Sequence, residues 1–193
     1  MKTLRNLAFE TEAYKVRRLQ DGDGAASLSM WTVDPVAAEM LNTPVGLWPV
    51  DNQNRYFRAC GQNESQILLG LFPKPVGAAI GLLILKPNPE LGIFTLSAVI
   101  GLKAKRGKDT MAGVAKPLFR FLFGTCGFAK AKCYVRPQNK AMQWLLLTNG
   151  WKLEARMKSE LLDVASGKRS DLLVFGLLHK EWADRNPDWK SHD

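Results

Sequence analysis

The period at which apolar residues recur changes several times along this chain, and each change predicts an element. Residues 14–19 alternate apolar and polar as a first strand, and Asp21-Gly22-Asp23-Gly24 turns the chain. Residues 25–41 follow a helical period as one or two helices. Asp34-Pro35 marks a restart, because Asp caps a helix start and Pro suits its first turn. Residues 42–63 carry Pro44, Gly46, Trp48, Pro49 and the polar run 51–54, which predicts a loop with one short helical turn. Three strand-like segments come next, at 66–72, 76–86 and 91–100. Pro73-Lys74-Pro75 and Pro87-Asn88-Pro89 separate them at the spacing of an antiparallel meander.

The order then becomes strand, cationic loop, helix, strand, helix. Phe119, Phe121, Leu122 and Phe123 form a dense apolar run expected to pack beneath the sheet, and Pro117 is expected to kink or restart its helix. A second strand ends in Val135-Arg136-Pro137, and Asn139 precedes a helix over 140–148, where Trp144, Leu145 and Leu147 are expected in the core. Residues 151–161 alternate cleanly: Trp151, Leu153, Ala155, Met157, Ser159 and Leu161 share one face. Residues 165–168 turn, residues 171–178 return as a final strand, and residues 180–193 read as a helical turn and tail.

Length and composition narrow this to one ordinary globular domain: 193 residues, 46% hydrophobic and 23% charged. No apolar run approaches a membrane span, and the first residues lack the apolar core of a secretory leader. Cys60, Cys126 and Cys133 have no paired spacing, so they read as reduced cytoplasmic thiols, and with two histidines a structural zinc site is not expected. The net charge of +9 is uneven: residues 101–140 hold ten Lys or Arg against one acid, Asp109. That field either attracts a polyanion, such as nucleic acid, an acidic protein or a phosphorylated cofactor, or simply solvates the surface.

A strand feeding a cationic loop at a helix start is a way to hold phosphate, because free helix N–H groups point at the anion. Arg106-Gly107-Lys108 resembles the start of the pyrophosphate loop of the GCN5-related N-acetyltransferase (GNAT) superfamily. Val135-x-x-x-Asn139, followed eleven residues later by Gly150-Trp151, is similar in spacing to that family's V-x-x-x-N … G-F signature. The resemblance covers residues 14–182, leaving 1–13 as an N-terminal arm and 183–193 as a polar tail. It implies an α+β sandwich with a mixed, mostly antiparallel sheet of six to seven strands, in which the fourth and fifth splay apart. It further implies an acyl-CoA such as acetyl-CoA as donor. Ser97, Val99 and Ile100 would supply the strand edge, Lys103, Lys105, Arg106, Gly107 and Lys108 the loop, and Asn139 a contact at the fifth strand.

Three positions depart from the family pattern. Asp109 and Met111 stand where the loop has its two glycines, and Leu146 stands where many members carry the Tyr that protonates the leaving thiolate. Asp109 reads as a helix N-cap before Thr110, and Asn139 reads as cap, ligand contact or both. Glu90 and Glu64 are candidate bases, and Tyr134 is a substitute acid. His179 reads as structural, whereas Trp31 and Trp48 lie where the family recognises its acceptor. Two classes of function follow. One is acyl transfer from acyl-CoA to an amine of a small molecule, protein or nucleic acid. The other is a GNAT-like fold, of a type expected among phage and mobile-element proteins, that binds nucleic acid or protein through its basic surface.

Overall fold

The computed structural model describes residues 4, 7–23, 33–42, 45–46, 48–62, 65–75, 77–101, 110–164 and 166–190. Eight strands form one sheet: β1 Ala8–Glu10, β2 Tyr14–Arg18, β3 Ile67–Pro73, β4 Gly81–Asn88, β5 Ile93–Ile100, β6 Lys130–Val135, β7 Lys152–Leu162 and β8 Arg169–Leu178. Their spatial order is β1-β2-β3-β4-β5-β6-β8-β7. Every neighbouring pair is antiparallel except β5 and β6. The expected mixed, mostly antiparallel α+β architecture is therefore present, with Ala8–Glu10 of the arm adding a strand on β2. The pair expected to splay is β5 and β6.

Helices cover both faces. Helix α1 (Pro35–Leu41) starts at the Asp34 cap, whose carboxylate accepts from Val36 N–H, as the Asp-Pro pair predicts. Helix α2 (Val50–Gln62) corrects the expected loop over 42–63. Its buried stripe is Gln53, Phe57 and Cys60, a helical period hidden behind the loop signals Pro44, Gly46 and Pro49 and the polar run 51–54. Phe57 and Cys60 pack on Leu68 and Leu82 of the sheet.

The main core lies on the other face, beneath α3 (Thr110–Phe119), α4 (Lys140–Thr148) and α5 (His179–Arg185). Pro117 does not end α3; the helix continues through it and widens into a π turn over Arg120–Thr125. The apolar run packs as expected: Phe94 meets Phe123 at 5.4 Å and Phe119 at 6.0 Å between ring centroids. Fully burying one such ring contributes about 1.5–3 kcal/mol. The tail expected beyond residue 182 is packed, since Trp189 of the final 3₁₀ turn meets His179 edge-on at 5.1 Å.

Two expectations fail at α4 and β7. Trp144 is 67% exposed and Leu147 is also exposed, because the α4 face turned inward holds Met142, Leu145 and Leu146 instead. Strand β7 is an edge strand with two register shifts against β8, and Ser159 has φ 51°, so its clean alternation buries no face. Among the described residues no helix is long and apolar enough to cross a membrane.

Candidate active site

The site begins as a missing stretch of ladder. Strands β5 and β6 pair only at Ile93↔Lys130, Phe94↔Ala131 and Thr95↔Lys132, yet both run on, to Ile100 and Val135. Hydrogen bonds just outside the strands fix which backbone groups face the gap. Gly101 N–H donates to the Ile80 carbonyl at 3.0 Å, so residues 93, 95, 97 and 99 turn their amides to β4 and the alternate residues turn theirs to β6. His179 N–H donates to the Ala129 carbonyl at 2.9 Å, which by the same alternation turns residues 130, 132 and 134 of β6 toward β5. Beyond Thr95↔Lys132 the gap-facing groups of Ala98 and Tyr134 therefore have no ladder partner across the gap. Ser97 and Val99 address β4 instead. The edge expected from Ser97, Val99 and Ile100 is presented by Leu96 and Ala98, with Ile100 in the same phase.

One face of this gap opens on an apolar cavity of about 270 Å³ between α3 and α4. Leu96, Ala98 and Cys133 form its sheet side, Met111, Ala115 and Phe119 one wall, Met142 and Leu146 the other. Trp151, Leu177 and Trp182 close the end. Its polar lining is held elsewhere: Lys116 Nζ pairs with Asp188 at 2.8 Å, and the Asn149 and Asn186 amides donate to Leu145 and Trp182 carbonyls, each at 2.8 Å. Burial pushes the Cys133 thiol up to about 12, so it lines the cavity as a neutral group.

The opposite face of the same strands is polar. Ala131, Cys133 and Val135 belong to the core, so Lys130, Lys132 and Tyr134 project the other way. On β5 Thr95 and Ser97 do likewise. The Thr95↔Lys132 register places Ser97 and Tyr134 on facing sides of the gap, with Tyr134 39% exposed. Glu154 lies over β8 on this face: a Cβ on Gly176 would collide with its carboxylate, which also pairs with Lys130 Nζ at 2.7 Å.

Arg136 ends β6 at the open mouth and ties both faces together. Its guanidinium donates to Asp163 Oδ2 at 2.7 Å and to Asn42 Oδ1 at 2.8 Å. Its carbonyl accepts from Asn139 N–H at 3.0 Å. Arg136, together with two hydrogen bonds from Ser166, holds the Asp163 carboxyl down at about 2. Asn139 itself caps α4, accepting from Met142 N–H at 3.1 Å, and so orients the cavity wall.

The remaining candidates scatter. Glu90 is exposed in the turn before β5, at the closed end of the strand pair and away from the opening. His179 stacks on Phe123 at 5.2 Å within the aromatic core. Trp48 packs on Tyr56 at 5.6 Å and on Phe57 at 6.4 Å. Lys103, Lys105, Arg106, Gly107, Lys108 and Asp109, like Glu64 and Trp31, lie outside the described residues. Glu154 read as an ordinary strand charge and Lys132 as one of the ten cations of residues 101–140, so neither was singled out beside the gap. Strand parity around the fifth strand was the available signal. Among the described residues no group of three or more His, Cys, Asp or Glu could hold a metal.

No family model matches the chain, and no curated protein matches its sequence. Solved structures do match it. A GCN5-related N-acetyltransferase from Brucella melitensis superposes with TM-score 0.79 at 12% identity, covering 96% of this chain and 85% of that one. A probable acetyltransferase gives 0.77 at 16%, covering 91% and 99%. Spermidine N-acetyltransferase from Vibrio cholerae, solved with CoA and spermine, gives 0.75 at 14%, covering 88% and 97%. At such identities the likeness shows the fold alone, the one these acetyltransferase structures share.

Proposed function

We propose that this GNAT-fold chain is an N-acyltransferase that moves an acetyl or related acyl group from acyl-CoA to an amine. The observation that carries the reading is the two-sided gap between β5 and β6. Its cavity face is apolar and closed by aromatic rings, whereas its other face offers the hydroxyls of Thr95, Ser97 and Tyr134 and the Glu154 carboxylate. These residues fit the donor. A pantetheine arm is an apolar chain with amides that need partners, and the gap-facing backbone of Ala98 and Tyr134 can supply them. The loop cations Lys103, Lys105, Arg106 and Lys108 precede α3 and are the groups to take its phosphates, together with the α3 N-terminus.

Bound acyl-CoA supplies a thioester carbonyl as the acyl electrophile. The chain orients and screens. Leu96, Leu146 and Phe119 exclude water from the arm, and Ala98 N–H is the donor for developing negative charge on oxygen. An amine enters from the face that the cavity leaves free, so Tyr134 and Ser97 flank it. The Tyr134 hydroxyl supplies the proton that Leu146 cannot, and Glu154, through water, takes the proton that the amine loses. In this assignment Glu154 stands in for Glu90, which sits at the far end of the strand.

The basic-surface alternative finds less support. Of the six described cations between residues 110 and 140, three are already paired: Lys116 with Asp188, Lys130 with Glu154 and Arg136 with Asp163. Calorimetric titration with acetyl-CoA tests the choice. Saturable binding that Arg106→Ala weakens is the expected result; no binding at millimolar ligand, with salt-dependent retention on RNA, would replace the reading with the alternative.

A further inference from the structure

The polar face of the gap carries a charge pattern that acyl transfer as such does not require. Lys86 of β4, Thr95 of β5 and Lys132 of β6 are successive cross-strand partners, through Lys86↔Thr95 and Thr95↔Lys132. All three project from this face. Leu82 and Ile84 share the parity of Lys86 and pack beneath α2, whereas Phe94 and Cys133, neighbours of Thr95 and Lys132, belong to the opposite core. With strands roughly 4.8 Å apart, the two lysines bracket the Thr95 hydroxyl at a Cα separation of about 10 Å. Neither lysine makes an ion pair with a described residue, whereas Glu154 is engaged with the third lysine of this face, Lys130. The row therefore presents two ammonium groups and a hydroxyl, and the described carboxylate beside it, Glu154 over Gly176 next to Lys132, is paired with Lys130.

Its place relative to the gap gives the pattern a use. Ser97 and Tyr134 stand two residues further along the same strands, about 6.6 Å from the lysine row. We infer that Lys86, Thr95 and Lys132 form an anion subsite for the acceptor, and that the acceptor is an amine carrying a phosphate or carboxylate about 7 Å from its nitrogen. The assignment of the amine to the gap rests on the acyltransferase reading; the anion subsite does not. An anionic group between the lysines directs the amine toward Ser97 and Tyr134, whereas a polyamine meets like charge there and is disfavoured. A phosphorylated small amine and a short acidic peptide offer the same chemistry, which the test separates.

The experiment is a heteronuclear NMR titration of the full chain with 3-aminopropyl phosphate, 4-aminobutanoate and spermidine. The anionic probes are expected to shift the Lys86, Thr95 and Lys132 amides saturably. Tighter binding of the phosphate identifies a phosphorylated acceptor, and tighter binding of the carboxylate an acidic peptide. Lys86→Gln with Lys132→Gln should weaken either probe at least tenfold, and Lys86→Glu with Lys132→Glu should admit spermidine instead. The inference is overturned if neither anion gives saturable shifts, if spermidine shifts the same amides in the unmodified protein, or if the anion shifts survive in the Gln variant. Acetyl-CoA binding, followed separately by calorimetry, tests the acyltransferase reading, so the two can fail independently.

Discussion

The two faces of β5 and β6 are built from alternate residues of the same short strands, yet they have opposite chemistry. One face sets Leu96, Ala98 and Cys133 against helices α3 and α4 and encloses an apolar cavity. The other sets Thr95, Ser97, Lys132 and Tyr134 toward solvent. Strand parity alone makes the difference, and the missing ladder between the strands joins the two sides. Under the proposed acyl transfer, a donor with a long, weakly polar arm and an acceptor with a polar amine would each meet a matching environment on its own side.

Breaking the cavity face should have the largest effects. Phe123→Ala removes a fully buried ring from the core on the cavity side of the sheet and should cost about 3–5 kcal/mol in urea unfolding, while Leu153→Ala on the exposed edge should stay within about 0.5 kcal/mol. Ala115→Trp fills the cavity without touching the polar face. It should weaken acetyl-CoA roughly 100-fold, about 2.7 kcal/mol by calorimetry. Tyr134→Phe sharpens the contrast from the other side: kcat should fall about tenfold or more with acetyl-CoA affinity unchanged. If Tyr134→Phe weakens acetyl-CoA as much as Ala115→Trp does, the two faces are not separate.

The smallest effect concerns the clamp at the mouth. Asp163 has a native pKa of about 2, below an unfolded value of about 3.9, so its pairing with Arg136 contributes stability that is complete above the unfolded value. That stability is lost as pH falls from about 4 toward 2. Acid unfolding of Asp163→Asn, followed by circular dichroism, should lack this component, and an unchanged acid profile would remove Asp163 from the account.

The fold was legible where alternation and punctuation agreed. The three meander strands, the Asp34-Pro35 cap and the helix after Asn139 are present, although Pro73 ends β3 and Pro87-Asn88 lie within β4, which starts at Gly81 and not at residue 76. Helix α2 was not legible, because Pro44, Gly46, Pro49 and the polar run 51–54 read as loop, although Phe57 and Cys60 pack on the sheet at helical spacing. At α4 the opposite error arises: Trp144 and Leu147 are apolar but face away from the sheet, and sequence does not state which side of a short helix meets the core. The early end of pairing between β5 and β6 matches the expected splayed pair, and Tyr134 lies on the β6 side of that gap. Which backbone groups face the gap depends on ladder phase, which hydrogen bonds at Gly101 and His179 set from outside the strands. Parity moved the edge from Ser97 and Val99 to Leu96 and Ala98 for that reason.

The β5–β6 gap leaves the Ala98 and Tyr134 backbone groups without a ladder partner, free for the arm of the proposed donor. Amide hydrogen exchange at Ala98 and Tyr134, with and without acetyl-CoA, tests it most directly. Both amides should exchange fast in the free protein, in contrast to the paired amides of β4, and both should slow markedly when acetyl-CoA is added. Two amides already protected without ligand, or equally fast with it at saturation, would contradict it.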